Sequence, residues 1–192
     1  MRHLFLLAAL FCACISYAQI RVQERLPKSK TGFALTTAKT RAKIYYDVND
    51  ALVIKRSAEL FARDIQMVTG QKPELIQKRE RAKALVIVGT IEKNQWICEL
   101  AQKGKIDIRP LQGAWERYLI QTVDNPSPGV AKALVIAGSD RRGAAYGLFS
   151  ISEMMGVSPW YWWGDVPVKT HKALYVDCLL YTYDAADDLI GV

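Results

Sequence analysis

Histidine is nearly absent from this 192-residue chain: His3 sits in an apolar leading segment and His171 stands alone near the other end. Neither a histidine-based triad nor a histidine metal cluster can be assembled from these two. Cysteine is scarce as well, and of the four present, Cys12 and Cys14 fall in the same leading segment. Cys98 lies in a helical pattern and reads as a small core residue, while Cys178 belongs to a doubtful tail. Disulfides are therefore not expected to hold this fold together. The glycines never take the spacing of a dinucleotide fingerprint, and no Lys-Ser/Thr follows a glycine-rich loop. A nucleotide-dependent oxidoreductase is thus set aside, and nothing calls for a cofactor or a metal. Past the first segment no charge-free run approaches the ~20 residues of a membrane span.

The leading segment has the three parts of a secretory signal peptide: a cationic tip at Arg2, an apolar run from Leu4 to Ile15, and Ser16-Tyr17-Ala18 as a small-x-small cleavage site. Residues 1–18 are expected to be removed, delivering a chain that begins at Gln19 to the periplasm or beyond. A lipoprotein acylated at Cys14 fits less well, because Phe11-Cys12-Ala13 is a poor match to the usual approach. The remainder is half apolar and of single-domain length, too short for a barrel plus a second domain. Its 26 basic and 19 acidic residues give +7; without Arg2 and the three aspartates of the last fifteen residues, 25 and 16 give +9. Such a surface attracts polyanions. For an exported protein an acidic polysaccharide is the natural candidate and nucleic acid is not. Because the lysines and arginines are scattered, a merely basic surface is the plain alternative.

Residues 19–32 are polar without an apolar period and read as a flexible lead-in, with the ordered domain over 33–167. Ile44-Tyr45-Tyr46 predicts a short strand, with Asp47 and Asp50 as helix-start residues. Ile54, Ala58, Phe61, Ile65 and Val68 form one helical stripe, which Gly70 ends. Glu74 to Gln77 is a further short strand. Ala84 to Val88 is an apolar strand closed by Gly89-Thr90, with Thr90 as the expected N-cap of a helix from Glu92 to Lys103. About fifty residues later the string Lys83 to Thr90 recurs almost letter for letter as Lys132 to Ser139. Two copies do not make a solenoid, so they read as two equivalent strands. Between them, Trp115 to Val123 predicts a strand exposing one face, and Asp124 to Gly129 a loop. Arg141 to Met155 follows as a helix with Ala145, Leu148, Phe149 and Ser152 on its stripe, stopped by Gly156. Strands alternating with helices, one of them exposed, indicate an α/β domain with a mixed sheet.

Two constellations carry chemistry. Gly138-Ser139-Asp140-Arg141-Arg142-Gly143 turns from a buried strand into a helix, where backbone N–H groups face outward and Arg141 and Arg142 could grip a carboxylate. The plainer reading, favoured by spacing, has Asp140 or Ser139 capping the helix and one arginine paired locally. The second is Trp160-Tyr161-Trp162-Trp163-Gly164-Asp165. In an extended segment neighbouring side chains point to opposite sides, so some of these rings must lie on a surface or in a cleft. They could hold the apolar faces of sugars, with Asp165 accepting from hydroxyls, or plug against a neighbouring domain. Glu153 and Asp165 do not make a persuasive acid/base pair.

The stretch "VIAGSDRRGAAYGLFSISEMMGVSPWYWWGDVPV" and the downstream "KALYV" resemble the end of the amino-terminal domain of glycoside hydrolase family 115, the xylan α-glucuronidases. The layout of "VTGQKP", "ALVIVGT" and "WERYLIQTVDNPSPGVAKALVIAGSDRRG" agrees, and the resemblance spans roughly Ile44 to Val176. More loosely, "RRGAAYGLFSISE" resembles the non-catalytic amino-terminal domains of β-hexosaminidases and related glycosidases. The family resemblance implies a multi-domain exported enzyme that removes glucuronic or 4-O-methylglucuronic acid branches from xylan. It also implies an α/β domain ahead of a TIM-type barrel whose loops carry the catalytic carboxylates. That barrel is absent from this chain, so no catalytic residue is assigned and the chain alone is expected to be inactive. Trp162, Trp163 and Asp165 are the expected edges of the sugar site where domain and barrel meet. Arg141 and Arg142 follow, as partners of the uronate carboxylate or braces of the interface. The expected partners are glucuronic acid-substituted xylan or its oligosaccharides and the chain's own barrel; a free-standing glycan-binding module is the alternative. Residues 168–177 read as the start of a linker. Residues 178–192, with "CLLYT" and "DAADD", resemble an in-frame translation of a sequencing adaptor and are expected to be an artefact.

Overall fold

The computed structural model describes residues 20–178 and 180–184; the expected signal peptide lies outside them. Strands β1 (Arg21–Gln23), β2 (Gly32–Thr36) and β3 (Lys43–Tyr46) lead into helix α1 (Leu52–Thr69). Next come β4 (Leu75–Ile76), β5 (Ala82–Thr90), helix α2 (Gln95–Gln102), β6 (Arg117–Ser127) and β7 (Val130–Gly138). Helices α3 (Arg141–Met154) and α4 (Tyr161–Gly164) precede β8 (Leu174–Asp177) and β9 (Leu180–Asp184). The main sheet has the order β4-β3-β5-β7-β6-β9. Its first four strands are parallel, and β6 runs antiparallel to both neighbours. A small antiparallel sheet, β1-β8-β2, completes the mixed α/β architecture expected from the sequence.

The main sheet is buried on both faces, which is why β5 and β7 read as unbroken apolar runs. On one face Ile54, Phe61 and Ile65 of α1, Leu148 and Ile151 of α3, and Phe33, Leu35 and Val176 of the small sheet share a core. On the other, Trp96, Ile97 and Leu100 of α2 pack with Tyr45, Leu85 and Ile87. Each such fully buried side chain contributes ~2 kcal/mol of apolar transfer free energy.

The repeated string is used in two different ways. Its copies are parallel neighbours, but Val86 lies opposite Leu134, one residue out of step with the letter match of Leu85 to Leu134. A one-residue offset turns every side chain to the other face. Leu85 and Ile87 accordingly point into the α2 core, whereas Leu134 and Ile136 point into the core under α1 and α3. The strands are adjacent but not equivalent, and the sheet tolerates this because both faces are apolar.

Several boundaries differ from expectation for identifiable reasons. Helix α2 starts at Gln95, not Glu92. Its cap is Asn94, whose Oδ1 accepts from the Trp96 and Ile97 amides at 3.1 Å each, while its side-chain amide donates to the Val88 carbonyl at 2.9 Å. Thr90 instead binds Asp50, donating from its amide at 2.7 Å and its hydroxyl at 3.0 Å. Asp50 is thereby drawn away from α1, whose N-cap position, Ala51, has no side-chain cap. Asp47 accepts from the Gln95 amide at 3.2 Å and so serves α2. Gly70 does end α1 in the left-handed region, at φ 71°. Residues expected to form a loop from Asp124 belong to β6, which bulges between Asp124 and Ser127 and carries Pro126 there. Nor does β6 expose one face: Tyr118 and Ile120 enter one core and Leu119 the other. Phe149 of α3 is partly exposed, and Ala144 and Ile151 take its place on the buried stripe. The segment read as a flexible lead-in carries β1, and the segment read as a linker carries β8, which pairs with it. Within the segment read as adaptor-derived, β9 pairs along the β6 edge. Pairing with an open edge is a backbone interaction and is indifferent to a segment's origin.

Candidate functional site

The parallel strands β5 and β7 end at Gly89-Thr90 and Gly138-Ser139, and the chain turns sharply beyond each. Gly138 is required there, because a Cβ would fall 2.2 Å from the Ala144 amide nitrogen and 2.5 Å from the Asp140 carbonyl oxygen. Asp140 then caps α3: its Oδ1 accepts from the Arg142 amide at 2.8 Å and the Gly143 amide at 2.9 Å. Its Oδ2 accepts from the Glu116 amide at 2.9 Å, and Ser139 bonds to both backbone groups of Arg117. Glu116 is held in the left-handed region at φ 54°, a conformation costing roughly 1 kcal/mol or more for a non-glycine residue.

These bonds shape a cleft of about 490 Å³ outside the carboxyl ends of the strands, lined by Trp115, Glu92, Glu116, Asp140, Arg141 and Arg142 among others. Crevices at this end of parallel sheets are where α/β proteins hold ligands. The helix-capping reading of Asp140 holds, and it removes the backbone anion cradle: the amides that would face a ligand are already taken by the Asp140 carboxylate. Arg142 donates to Glu116 Oε1 at 2.6 Å, and that bond raises its pKa above the usual guanidinium value. Arg141 is exposed and, among the described residues, has no carboxylate partner. A carboxylate entering the cleft would therefore meet Arg141 as its free cation, with the Trp115 ring, 77% exposed, as a flat apolar wall.

The aromatic block is elsewhere. Residues Tyr161–Gly164 form a single helical turn, not an extended segment, so the alternation expected of their side chains does not apply. Trp160 and Trp163 are 68% and 86% exposed, and Tyr161 is half-buried. The side chain of Trp162 lies outside the described part of the structure. Asp165 is exposed, with φ 47°, just past the turn. Both ends of this segment are tied to the far ends of the helices: Met155 is buried at the close of α3, and the His171 amide donates to the Val68 carbonyl near the end of α1 at 2.8 Å. Helix α3, fourteen residues and ~20 Å long, separates it from the cleft. Arg141 and Arg142 thus share one site, while Trp163 and Asp165 lie at the opposite end of the helical layer.

The sequence offers no site role for Trp115, Glu92 or Glu116: Trp115 and Glu92 read only as the first residues of a strand and a helix, which begin instead at Arg117 and Gln95. The available signal was a lone tryptophan in a polar turn after Gly113, with no apolar period to bury it. Among the described residues no group of three or more His, Cys, Asp or Glu side chains is placed to hold a metal ion. No helix among them is long and apolar enough to cross a membrane.

Fold and cleft define a mixed α/β domain with an open crevice, and the described residues form no closed barrel. No family model and no curated protein matches the chain. Among solved structures it is similar to a family GH115 4-O-methyl-α-glucuronidase with specificity for decorated arabinogalactans, at 27% identity and TM-score 0.62, over 78% of this chain and 18% of that one. It also matches CpGH84D at 11% identity and TM-score 0.49, over 85% of this chain and 23% of that one. A GH20 β-N-acetylhexosaminidase from Streptomyces coelicolor A3(2) matches at 10% identity and TM-score 0.43, over 88% of this chain and 25% of that one. These neighbours are glycoside hydrolases, and this chain spans a quarter or less of each.

Proposed function

We propose that this chain is the amino-terminal α/β part of an exported glycoside hydrolase that removes glucuronic or 4-O-methylglucuronic acid branches from xylan. The observation that supports this best is the 27% identity over 78% of the chain to a 4-O-methyl-α-glucuronidase. Within this reading, Arg141 takes the uronate carboxylate, Trp115 walls its cleft, and Glu116 fixes Arg142 beside it. Catalytic carboxylates are assigned to a barrel outside this chain. Trp163 and Asp165 serve at a separate edge, facing that barrel or the polysaccharide. The acidic sugar is the common element, and its carrier is the open specificity: xylan here, decorated arabinogalactan in the neighbour. Assaying sugar release from both polymers by a longer gene product that includes residues 19–177 tests the reading. Release of neutral sugars alone would overturn it.

A second reading has one specific observation in its favour, the exposure of Trp160 and Trp163. A non-catalytic glycan-binding module would present rings in this way. Retention of the isolated chain on insoluble xylan, lost in Trp160→Ala/Trp163→Ala, would select it.

A further inference from the structure

At the opposite end of the main sheet from the cleft, a shallow groove of about 780 Å³ runs between the start of β5, the end of α2 and the β6–β7 turn. Among the described residues four of its lining side chains are cations, Arg81, Lys83, Lys103 and Lys105, and no carboxylate lines it. Its floor includes Ala82, Val130, Pro126 and Pro128. The nearest acidic side chains in sequence are committed elsewhere: Glu80 to Lys43 at 2.6 Å, Asp124 to Lys132 at 3.3 Å, and Asp107 to Arg109 at 2.6 Å. Glu99 pairs with Arg79 at 2.5 Å and reaches Lys103 only at 3.9 Å. Lys105 is positioned by donating to the Asn125 carbonyl, which ties it to the turn. Arg81 lies against Gly129, where a Cβ would come 2.9 Å from its Cγ, so a glycine at φ 85° makes room for the arginine stem. Arg81 immediately precedes β5 and Lys83 is the second residue of that strand, and both side chains line the groove.

We propose that this groove binds a linear polyuronate strand, as a docking surface separate from the cleft at the other end of the strands. Among the described residues Arg81, Lys83 and Lys105 have no carboxylate partner and Lys103 has only the long contact to Glu99; cations of this kind spaced along an apolar floor suit a chain that alternates carboxylates with C–H ring faces. Arg81 can take a carboxylate in a two-pronged hydrogen bond, and the lysines act as point charges. Among the described residues the lining has no aromatic ring, which a single-stranded nucleic acid would use for base stacking. The choice of a glycan over other polyanions rests on the proposed function; the position of the site rests on the groove alone. Each β5 end is served separately: a strand of nine residues, ~30 Å long, divides this groove from Arg141.

The test is titration of the chain with polygalacturonate, its fully methyl-esterified form and a single-stranded DNA of matched charge, at two salt concentrations. Polygalacturonate is expected to bind, the ester to fail, and the DNA to bind at least tenfold more weakly. Arg81→Gln/Lys83→Gln/Lys103→Gln is expected to raise the Kd for polygalacturonate at least tenfold. The triple change Lys28→Gln/Lys39→Gln/Lys72→Gln, which removes the same charge elsewhere, should leave it within twofold. In the unaltered chain, bound polygalacturonate should shield Lys83 and Lys103 from amine acetylation, a readout independent of how the variants fold. Absence of binding, equal binding of DNA, equal weakening by both triple variants, or unshielded Lys83 and Lys103 would overturn the proposal. Sugar release by the longer gene product is a separate measurement, so failure here and failure of the glycosidase reading are distinguishable.

Discussion

Gly143→Ala probes the junction on which the cleft depends. Gly143 lies in the first turn of α3, where the helix presses on the start of β6. A Cβ there would sit 2.3 Å from the Arg117 carbonyl oxygen and 3.0 Å from the carbonyl carbons of Arg117 and Glu116. All three contacts are backbone, so no side chain can swing aside; the helix start must move by ~1 Å to restore an ordinary separation. That shift strains the Asp140–Glu116 bond of 2.9 Å and the Ser139–Arg117 bond of 2.8 Å. Overpacking of this kind costs ~1–3 kcal/mol, and two weakened hydrogen bonds add ~1 kcal/mol. Against this, alanine is a better helix former by ~1 kcal/mol. A net loss of about 1–3 kcal/mol should lower the melting temperature by ~2–12 °C for a chain of this size. Thermal unfolding followed by circular dichroism reads it, with the exposed helical change Glu153→Ala as the comparison, expected within ~0.5 kcal/mol of the parent. An unchanged or raised melting temperature in Gly143→Ala would refute the close approach and the rigid cleft edge with it.

Three further outcomes follow from buried polar groups. Asp64 is buried, which pushes its carboxyl pKa up against the lowering effects of the Ser152 hydroxyl, donating at 2.7 Å, and of Arg63. Its folded pKa lies above its unfolded one, so its contribution is fully present below the ordinary carboxylate range and is lost as pH rises through the raised value. Asp64→Asn should therefore gain stability relative to the parent between pH 3 and pH 7, as measured by urea unfolding; a constant difference, or a loss, would contradict this. Asn94→Ala removes the α2 cap and the side-chain bond to the Val88 carbonyl, and should cost about 2–4 kcal/mol in the same assay, against under 1 kcal/mol if Thr90 were the true cap. Burial pushes the Cys178 thiol up to about 12 and also raises Cys98. Both should react slowly with a disulfide reagent at pH 8 in the folded chain and at once in denaturant; rapid labelling of Cys178 in the folded chain would remove it from the core.

Periodicity made α1 legible, because Ile54, Phe61 and Ile65 recur at helical steps and Gly70 supplies a left-handed stop. It also located β5 and β7, since strands buried on both faces are continuous apolar runs. It could not reveal that the twin strings face opposite ways: register is set by how β3, β5 and β7 stack, a long-range matter that letters alone do not encode. The choice of Asn94 over Thr90 as cap is similar. Both residues are good caps locally, and the decision came from Asp50, forty residues earlier, claiming Thr90. At the candidate site, the capping by Asp140 and the local pairing of one arginine were readable from the turn. The Glu116 partner and the Trp115 wall were not, because they arrive from a loop whose backbone is pinned by Asp140. The aromatic block misled in shape: Trp160 to Asp165 curls into a helical turn, which no apolar period announces.

The central claim is most directly tested by offering glucuronoxylan to a longer gene product that carries residues 19–177 and to the 192-residue chain alone, with released sugars separated by anion-exchange chromatography. The account requires glucuronic or 4-O-methylglucuronic acid from the longer protein, reduced at least tenfold by Arg141→Ala, and none from the 192-residue chain. Acid sugar released by the short chain, or none by the longer protein from either xylan or arabinogalactan, would contradict it.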